Sequence, residues 1–401
     1  MTQANQSWFT LPVLSLILLS FILGTSEFVI VGILPDIASG INVSLTMAGN
    51  LISVFALSYA IGTPLMAAFI SPYNRYYLLL GMTVIFILGN ILCGLAPDYL
   101  VLVIARIITA VISGTILSVS MTFSADVATP VNQPKVISWI FSGFSIAAVF
   151  GVPLGTIISQ NIDWRATFLI LSAISVIILF MLWHYLPNVG RGQKSNLLHQ
   201  FGLLKSTRIQ LGMLIVIIGA AATYVFYTYM TPLMQDYLHL SPASISIVLS
   251  AFGVGTIISN IISGRLAGLG GMRKMPYAYL LQAIFLALMT FTSYTTILGL
   301  INIFIIGVLM YLQNSPTQLH FLRTAKRERP TAIAFASSLT PVAFNIGITL
   351  GSACGGVIIS VMDMPYIGIG GAIFAIVAIL LNIKLLKVMS SFSKRQNPMH
   401  N

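Results

Sequence analysis

Apolar runs of about 20 residues follow one another along the chain, and short polar turns separate them. An α-helix needs a run of this length to cross the hydrocarbon core of a bilayer. The pattern predicts an all-α, polytopic membrane protein with twelve transmembrane helices in two six-helix halves. The predicted spans lie near residues 10–34, 47–69, 77–95, 99–122, 136–159, 166–186, 209–232, 243–267, 276–294, 297–318, 331–361 and 365–388.

One long polar segment interrupts this pattern and divides the spans into six plus six. We predict an N-terminal bundle over residues 1–187, a cytoplasmic connector over 188–208, a C-terminal bundle over 209–390 and a cytoplasmic tail over 391–401. Two repeated halves of this size are typical of alternating-access transporters, whose binding site lies near the membrane midplane between the halves.

The composition supports a membrane protein and gives no sign of an enzyme. Hydrophobic residues make up 57% of the chain and charged residues only 7%. The two cysteines lie in apolar runs, so the sequence indicates no disulfide framework. No phosphate-binding loop, HExxH pattern or Cys/His cluster occurs, so we expect no catalytic residues, no metal and no cofactor. The first run lacks a basic leader and a cleavage site and is interpreted as a retained span.

The formal net charge of +11 is explained by topology. If the N-terminus lies in the cytoplasm, every Lys and Arg except Arg106 and Arg165 falls on the inner side, as the positive-inside rule predicts. Both termini are then cytoplasmic, and the positive charge gives no reason to expect nucleic-acid binding. The aspartates that fall outside are Asp36, Asp98, Asp163, Asp236 and Asp363.

Glu27 is the one acidic residue that the pattern places within a span, and Arg106 is the basic residue within a span that the positive-inside rule does not explain. A charge at membrane depth is costly unless it is paired, neutralised or hydrated, so each residue is a functional candidate. Both lie about 10 Å below the outer surface at roughly 1.5 Å per residue. If they face one cavity, protonation of Glu27 would release Arg106 and couple protons to conformation. A permanent structural salt bridge is the alternative.

The fifth span carries small residues at four-residue intervals, Gly143, Ala147, Gly151 and Gly155, with Pro153 among them. This spacing places them on one helical face and permits close approach of a second helix, while proline softens the helix locally. We expect either a gating hinge or simple tight packing. Span eleven repeats the pattern at Gly347, Gly351 and Gly355.

Aromatic and amide side chains within the spans are candidates to line a substrate cavity. A buried amide needs a partner at membrane depth, so each is either an interhelical bond or a ligand contact. Tyr224, Tyr227 and Tyr229 could instead belong to the outer aromatic belt. The candidates are Asn50, Phe55, Tyr59, Tyr224, Tyr227, Gln313, Asn314 and Asn345.

Several segments resemble the major facilitator superfamily over nearly the whole chain, and within it the bacterial drug:proton antiporter branch. That branch contains arabinose-type sugar exporters, purine base and nucleoside efflux pumps and chloramphenicol-type exporters. The segments are TSEFVIVGILPDIA, AGNLISVFALSYAIGTPL, ARIITAVISG, GFSIAAVFGVPLG with DWRATF, and FNIGITLGSACGG. The second segment is most similar to the purine efflux pumps.

The resemblance implies the major facilitator fold, inward termini and rocker-type exchange of substrate for protons. Arg106 matches the span-four arginine motif that is associated with proton coupling. Gly143, Gly151, Pro153 and Gly155 match the antiporter motif.

The chain departs from the family pattern in the loop after span two. Ser71 stands where an acidic residue is usual, only Arg75 represents the basic run, and Gly268 replaces an acid in the corresponding second-half loop. The usual cytoplasmic charge lock is therefore incomplete. Asp126 could pair with Arg75 as a reduced latch.

These observations predict a proton-coupled exporter of small organic molecules in a bacterial inner membrane, functional as a monomer. Purine bases, nucleosides or amphipathic drugs are the leading substrates, and membrane lipid and protons are its other partners. The alternatives are a sugar exporter, a proton-independent facilitator, or a membrane sensor that transports nothing.

Overall fold

The computed structural model describes residues 9–70, 73–129, 132–188, 201–329 and 332–396, and these are almost entirely helical. Most of the predicted connector and the end of the tail, and with them Ser71, Arg191 and Lys194, lie outside the described residues. The α-helices are α1 Leu11–Gly40, α2 Leu45–Ile70, α3 Arg75–Gly94, α4 Tyr99–Val127, α5 Gln133–Ile146, α6 Val152–Asn161, α7 Trp164–Tyr185, α8 Thr207–Tyr227, α9 Met230–Asp236, α10 Pro242–Gly268, α11 Met275–Thr292, α12 Thr296–Leu309, α13 Asn314–Glu328, α14 Ile333–Val361 and α15 Ile367–Gln396.

Twelve helical segments of the described chain are long and apolar enough to cross a membrane, which confirms the predicted twelve-span fold. Side chains in the turns fix where several of them begin. Asp98 accepts the backbone N–H of Val101 at 2.9 Å and caps α4, and Asp163 accepts that of Arg165 at 2.7 Å and caps α7. The polar turns therefore satisfy the free N–H groups at the helix ends.

The first and tenth spans extend further than predicted. Helix α1 runs to Gly40, so Asp36 lies within the helix and not beyond it. Its Oδ2 accepts a hydrogen bond from the Ser159 hydroxyl of α6 at 2.5 Å, which gives this partly buried carboxylate a partner. Helix α13 runs to Glu328, so Arg323, Lys326 and Arg327 lie in its last turns and not in a loop.

Three spans of the described chain are interrupted, and the sequence pattern indicated a local softening only in the fifth, at Pro153. The fifth contains a π-helical segment, Ala147–Gly151, between α5 and α6. The seventh breaks at Thr228–Tyr229 between α8 and α9, and the tenth leaves helical geometry at 310–313 between α12 and α13. Such interruptions free backbone polar groups that need other partners at membrane depth.

The chain divides into two compact units. The first comprises Met1–Ser195 and Pro242–Gly253, and the second comprises Asn196–Ser241 and Val254–Asn401. In the first unit α1 is the central helix and packs against α2, α4, α5, α6 and α7. In the second unit α8 is central and packs against α11, α13, α14 and α15.

The glycine faces bring equivalent helices together in each unit. A Cβ on Gly143 would come within 2.7 Å of Cβ of Ser20 on α1. A Cβ on Gly351 would come within 2.6 Å of the backbone oxygen of Ala221 on α8. Because neither position has room for a side chain, glycine sets the helix separation in both units.

Candidate functional site

Arg106 on α4 is fully buried in the first unit and holds the backbone of α1. Its Nη1 donates to the carbonyl of Ser26 at 2.7 Å, and its Nη2 donates to the carbonyl of Glu27 at 3.3 Å. The guanidinium carbon lies 4.0 Å from the ring centroid of Phe55, which gives a cation–π contact in a desolvated setting. Arg106 therefore joins α1, α2 and α4 at one point.

Glu27 lies beside this arginine and remains partly exposed. The described side chains form three ion pairs, Arg75–Asp126, Arg165–Asp163 and Arg208–Glu328, and none of them includes Glu27. Glu27 is still close enough for its charge to act on Arg106 and on the Tyr59 hydroxyl. The two residues are thus neighbours, but the arginine binds the helix backbone and not the carboxylate.

A second buried bond supports the same turn of α1. The Ser26 hydroxyl donates to Asn90 Oδ1 of α3 at 2.8 Å, and Asn90 Nδ2 donates to the carbonyl of Phe86 at 2.9 Å. Arg106 Nε has no hydrogen-bond partner among the described residues. The turn of α1 that carries Glu27 is therefore held from α3 and α4, with one charged donor left over.

The predicted lining residues of α2 are Asn50, Phe55 and Tyr59. Phe55 and Tyr59 are buried and form a small cluster with Ala110 of α4, and their ring centroids are 6.4 Å apart. Asn50 is partly exposed about one turn before Phe55. Of these three predicted lining residues, Phe55 is the one that contacts Arg106 directly.

The residues that match the antiporter motif pack directly on the helix that carries Glu27. A Cβ on Gly151 would come within 2.9 Å of Cβ of Thr25, and one on Gly155 would press against Val29. Gly151 is the last residue of the π-helical segment, and Pro153 follows in the first turn of α6. Proline and a π-turn are both known causes of local helix distortion.

Arg75 and Asp126 meet at the other end of the first unit. Arg75 Nη2 lies 3.4 Å from Asp126 Oδ2, and both side chains are about a quarter exposed, at 25% and 23%. Arg75 also donates to the carbonyl of Thr122 at 3.4 Å. The pair joins the beginning of α3 to the end of α4.

In the second unit the predicted tyrosines are part of an aromatic cluster. The ring centroids of Tyr224 and Tyr227 are 5.3 Å apart, those of Tyr224 and Phe344 are 5.9 Å apart, and those of Tyr311 and Phe344 are 5.6 Å apart. Tyr224, Tyr227 and Tyr229 are each at most 5% exposed, so the aromatic-belt interpretation is wrong for all three. The rings of Tyr224 and Tyr227 are buried because other helices surround α8.

The three amides of the second unit have partners within it. Gln313 Oε1 accepts the Tyr279 hydroxyl at 2.7 Å, and Asn345 Nδ2 donates to the carbonyl of Pro341 at 3.1 Å. Asn314 Nδ2 donates to Asn260 at 3.3 Å. Two donor or acceptor atoms, Gln313 Nε2 and Asn345 Oδ1, have no partner among the described residues.

Serines of α10 satisfy the interruption of the tenth span. The hydroxyls of Ser259 and Ser263 accept the backbone N–H groups of Tyr311 and Ser315, each at 2.9 Å. These N–H groups lie at the end of α12 and the start of α13, where helical acceptors are missing. Two buried serines one turn apart thus hold the non-helical segment in place.

Sequence reasoning missed several of these residues. Asn90 is a lone amide in an apolar span, and Ser259 and Ser263 stand four apart on one face of another. Both patterns are signals of interhelical hydrogen bonding. Tyr311 and Phe344 gave no separate signal, because their neighbours become adjacent only when the spans pack. Among the described residues, no group of three His, Cys, Asp or Glu side chains converges as a metal site would require.

Twelve membrane-length helices, two compact units and ionisable side chains inside the first unit define a polytopic membrane protein of the secondary transporter class. The chain belongs to the Major Facilitator Superfamily, whose family profile matches residues 16–340. It is a membrane transporter and not an enzyme.

Curated relatives of similar length match almost the whole chain. The MFS-type transporter YtbD of Bacillus subtilis is 33% identical over 383 residues, which cover 95% of this chain and 96% of the relative. The inner membrane transport protein YdhP of Escherichia coli is 33% identical and covers 92% and 94%. A probable sugar efflux transporter of Helicobacter pylori is 27% identical and also covers 92% and 94%.

Solved structures share the fold at low sequence identity. A bacterial homologue of the human lysosomal transporter Spinster, in an inward-facing and unoccupied conformation, matches with a TM-score of 0.74 at 16% identity and covers 96% of this chain and 99% of its own. The nucleoside transporter NupG matches with a TM-score of 0.75 at 16% identity and covers 93% and 99%.

Proposed function

We propose that this chain exports small organic molecules from a bacterial cell across the inner membrane in exchange for protons, by alternating access. The observation that carries the proposal is the position of Glu27. It is an ionisable carboxylate within a membrane span, it is partly exposed, and it has no ion pair among the described residues. A carboxylate that is not locked in a salt bridge can gain and lose a proton during transport.

Arg106 explains how protonation could act on the helix. The arginine is buried without a direct counter-ion contact, so the nearby negative charge of Glu27 stabilises it. Protonation of Glu27 removes that stabilisation and weakens the hold of Arg106 on the carbonyls of Ser26 and Glu27. We infer that α1 then shifts against α5 and α6, where Gly143, Gly151, Pro153 and Gly155 form the hinge.

The leading substrates are planar aromatic molecules such as purine bases and nucleosides, or amphipathic drugs. In the second unit the partly exposed rings of Tyr311 and Phe344 offer faces for stacking, and the buried Tyr224 and Tyr227 pack around them. In the first unit Asn50, Phe55 and Tyr59 add an amide and further rings. Gln313, Asn314 and Asn345 would supply hydrogen bonds that fix the orientation of the substrate.

Sugar export is the second candidate. The Helicobacter pylori relative is named a probable sugar efflux transporter, and the Asn314–Asn260 pair offers the hydrogen-bonding amides that a sugar needs. A proton-independent facilitator remains the alternative for coupling. The export direction draws on that relative's name. Cytoplasmic termini follow from the predicted charge distribution, and we propose the monomer as the functional unit.

The test is transport by the purified chain in proteoliposomes with an imposed pH gradient, against a panel of purines, sugars and chloramphenicol-like drugs. We expect at least one substrate to move against its own concentration gradient towards the acidic side, while protons move the other way. Glu27→Gln should keep downhill exchange and lose the response to the gradient, because glutamine mimics the protonated carboxyl and cannot titrate.

Asp36→Asn is the matched control, since Asp36 is a second carboxylate on α1 that is already bonded to Ser159. We expect this variant to retain proton coupling. If no substrate responds to the gradient, or if Glu27→Gln couples as the unchanged chain does, the antiport proposal fails.

A further inference from the structure

Two buried serine hydroxyls of the first unit have no hydrogen-bond partner among the described residues. They belong to Ser20 of α1 and Ser113 of α4, which are 1% and 0% exposed. A serine within a helix can return its hydroxyl to a carbonyl of the preceding turn, as Ser124 does to Met121 at 2.7 Å. A buried hydroxyl without any partner lowers stability, and ordered water is the usual partner where the protein offers none.

The two serines lie at the same level of the unit. Helices α1 and α4 are the first and fourth successive spans, so they run in opposite directions, and they pack against each other. Arg106 of α4 binds the carbonyls of Ser26 and Glu27, which fixes the register of the two helices. Ser113 follows Arg106 by seven residues, and Ser20 precedes Glu27 by seven residues. At roughly 1.5 Å per residue, both serines are about 10 Å from the arginine contact in the same direction.

Ser113 is on the face of α4 that also carries Arg106. Seven residues make almost two full helical turns, so the two side chains point the same way. Helix α3 approaches one side of this face, where one of its glycines packs on Thr109, and α2 approaches the other side, where one of its glycines packs on Val111. Ser113 therefore lies between these two contacts, on the face that Arg106 directs towards α1.

Ser20 is on the corresponding face of α1. It lies almost two turns before Glu27 on the same side of the helix. Ser26, which bonds to Asn90 of α3, marks one border of this face. Gly143 of α5, whose Cβ would come within 2.7 Å of Cβ of Ser20, marks the other border. The Ser20 hydroxyl is therefore on the part of α1 between α3 and α5, where α4 packs.

We propose that internal water binds between Ser20 and Ser113 and bridges α1 to α4. The two buried hydroxyls face one helix contact at one level, and each can both donate to water and accept from it. A divalent cation would instead require carboxylate ligands. The water site concerns the packing of the first unit and does not depend on proton coupling. Its consequence for transport rests on the proposed function: such a bridge lets α1 shift against α4 without breaking a direct side-chain bond.

Ser120 provides a matched comparison on α4. Its hydroxyl is also buried and without a partner among the described residues, and it follows Ser113 by seven residues on the same face. The register places it at the level of Val13 of α1, which is 0% exposed. Ser120 thus shares its residue type, helix face and burial with Ser113, but the side chain at its level on α1 is apolar.

The first measurement is hydroxyl-radical labelling of the unchanged full chain in mild detergent, with the radicals generated from water by an X-ray pulse. Radicals from an internal water modify the side chains beside it. Leu16 and Leu34 lie on one face of α1 and are both 0% exposed, but Leu16 is one turn from Ser20 and Leu34 is about 20 Å away. We expect at least threefold more labelling of Leu16. Equal labelling of the two leucines would overturn the proposal.

The second measurement is a double-mutant cycle on the unfolding equilibrium constant. Ser20→Ala and Ser113→Ala should each raise this constant about fivefold, because the water then loses one partner and the remaining hydroxyl is held less well. The double variant should raise it little further, since no polar group is left to satisfy. Ser113→Ala should also reduce the labelling of Leu16 to that of Leu34.

The control cycle pairs Ser20→Ala with Ser120→Ala, and its two effects should multiply. Independent effects of Ser20→Ala and Ser113→Ala would overturn the proposal, and so would single variants as stable as the unchanged chain. Coupling of the two serines without labelling of Leu16 would indicate a direct hydroxyl bond and would also overturn it. The labelling of the unchanged chain decides the question if a variant does not fold.

Discussion

At the scale of single residues, the turn of α1 that carries Glu27 is held by hydrogen bonds and not by an ion pair. Arg106 binds two carbonyls of this turn, and Asn90 accepts the hydroxyl of Ser26. A guanidinium on backbone carbonyls is directional and leaves the neighbouring carboxylate available. Arg106 thus holds the backbone of this turn without forming an ion pair with Glu27.

Asn90→Ala tests the second of these supports. The substitution leaves the buried Ser26 hydroxyl without its acceptor, and we expect a loss of about 1 kcal/mol in unfolding free energy, which is typical of interhelical bonds in membranes. The measurement is equilibrium unfolding in mixed micelles. Asn161→Ala removes an exposed amide that bonds only within its own helix, to Ile157, and should be nearly neutral.

A double-mutant cycle between Ser26→Ala and Asn90→Ala separates the bond from other losses. We expect the second substitution to cost little once the first has been made, because the same bond is already gone. Additive losses would mean that the Ser26–Asn90 contact contributes no stability of its own.

At the scale of elements, glycine sets the spacing between α14 and α8. A Cβ on Gly351 would lie 2.6 Å from the oxygen and 2.9 Å from the Cα of Ala221, and backbone atoms cannot move aside as a side chain can. We expect Gly351→Ala to cost about 1–3 kcal/mol in unfolding free energy, the usual range for overpacking.

Gly264→Ala is the matched control for Gly351→Ala, because both glycines are helical. A Cβ at Gly264 would meet nothing within 4 Å. Alanine has the better helix propensity by roughly 1 kcal/mol, so this control should be neutral or stabilising. A loss of equal size at both positions would assign the effect to the substitution type and not to the helix contact.

The interruption of the tenth span depends on a neighbouring element. Ser259→Ala and Ser263→Ala each leave a backbone N–H of the interrupted segment without its acceptor, and we expect about 1–2 kcal/mol lower stability for each. Ser250→Ala is the comparison on the same helix, since its hydroxyl bonds back to Ser246. Equal unfolding free energies for all three variants would contradict a role for α10 in holding the segment.

At the scale of the whole molecule, the twelve-span fold was predictable because length and apolarity alone determine which segments cross a membrane. The interruptions were not. Residues 310–313 contain neither glycine nor proline, and the N–H of Tyr311 finds its acceptor on α10, at Ser259, about 50 residues away in the chain. The depth of Glu27 and Arg106 followed from counting residues, whereas the partner of Arg106 depends on which face of α1 turns towards α4.

The predicted orientation, with both termini in the cytoplasm, can be tested on the folded chain. Thr295 lies in the exposed turn between α11 and α12, and Ser390 lies on the exposed part of α15 at the opposite, basic end. In a background without Cys93 and Cys354, Thr295→Cys should react with a membrane-impermeant maleimide in intact cells, and Ser390→Cys should react only after the membrane is opened. This outcome follows from the energetic preference for Lys and Arg in cytoplasmic loops. The reverse labelling pattern would place the basic end outside. A proton gradient would then drive the proposed transport in the opposite direction.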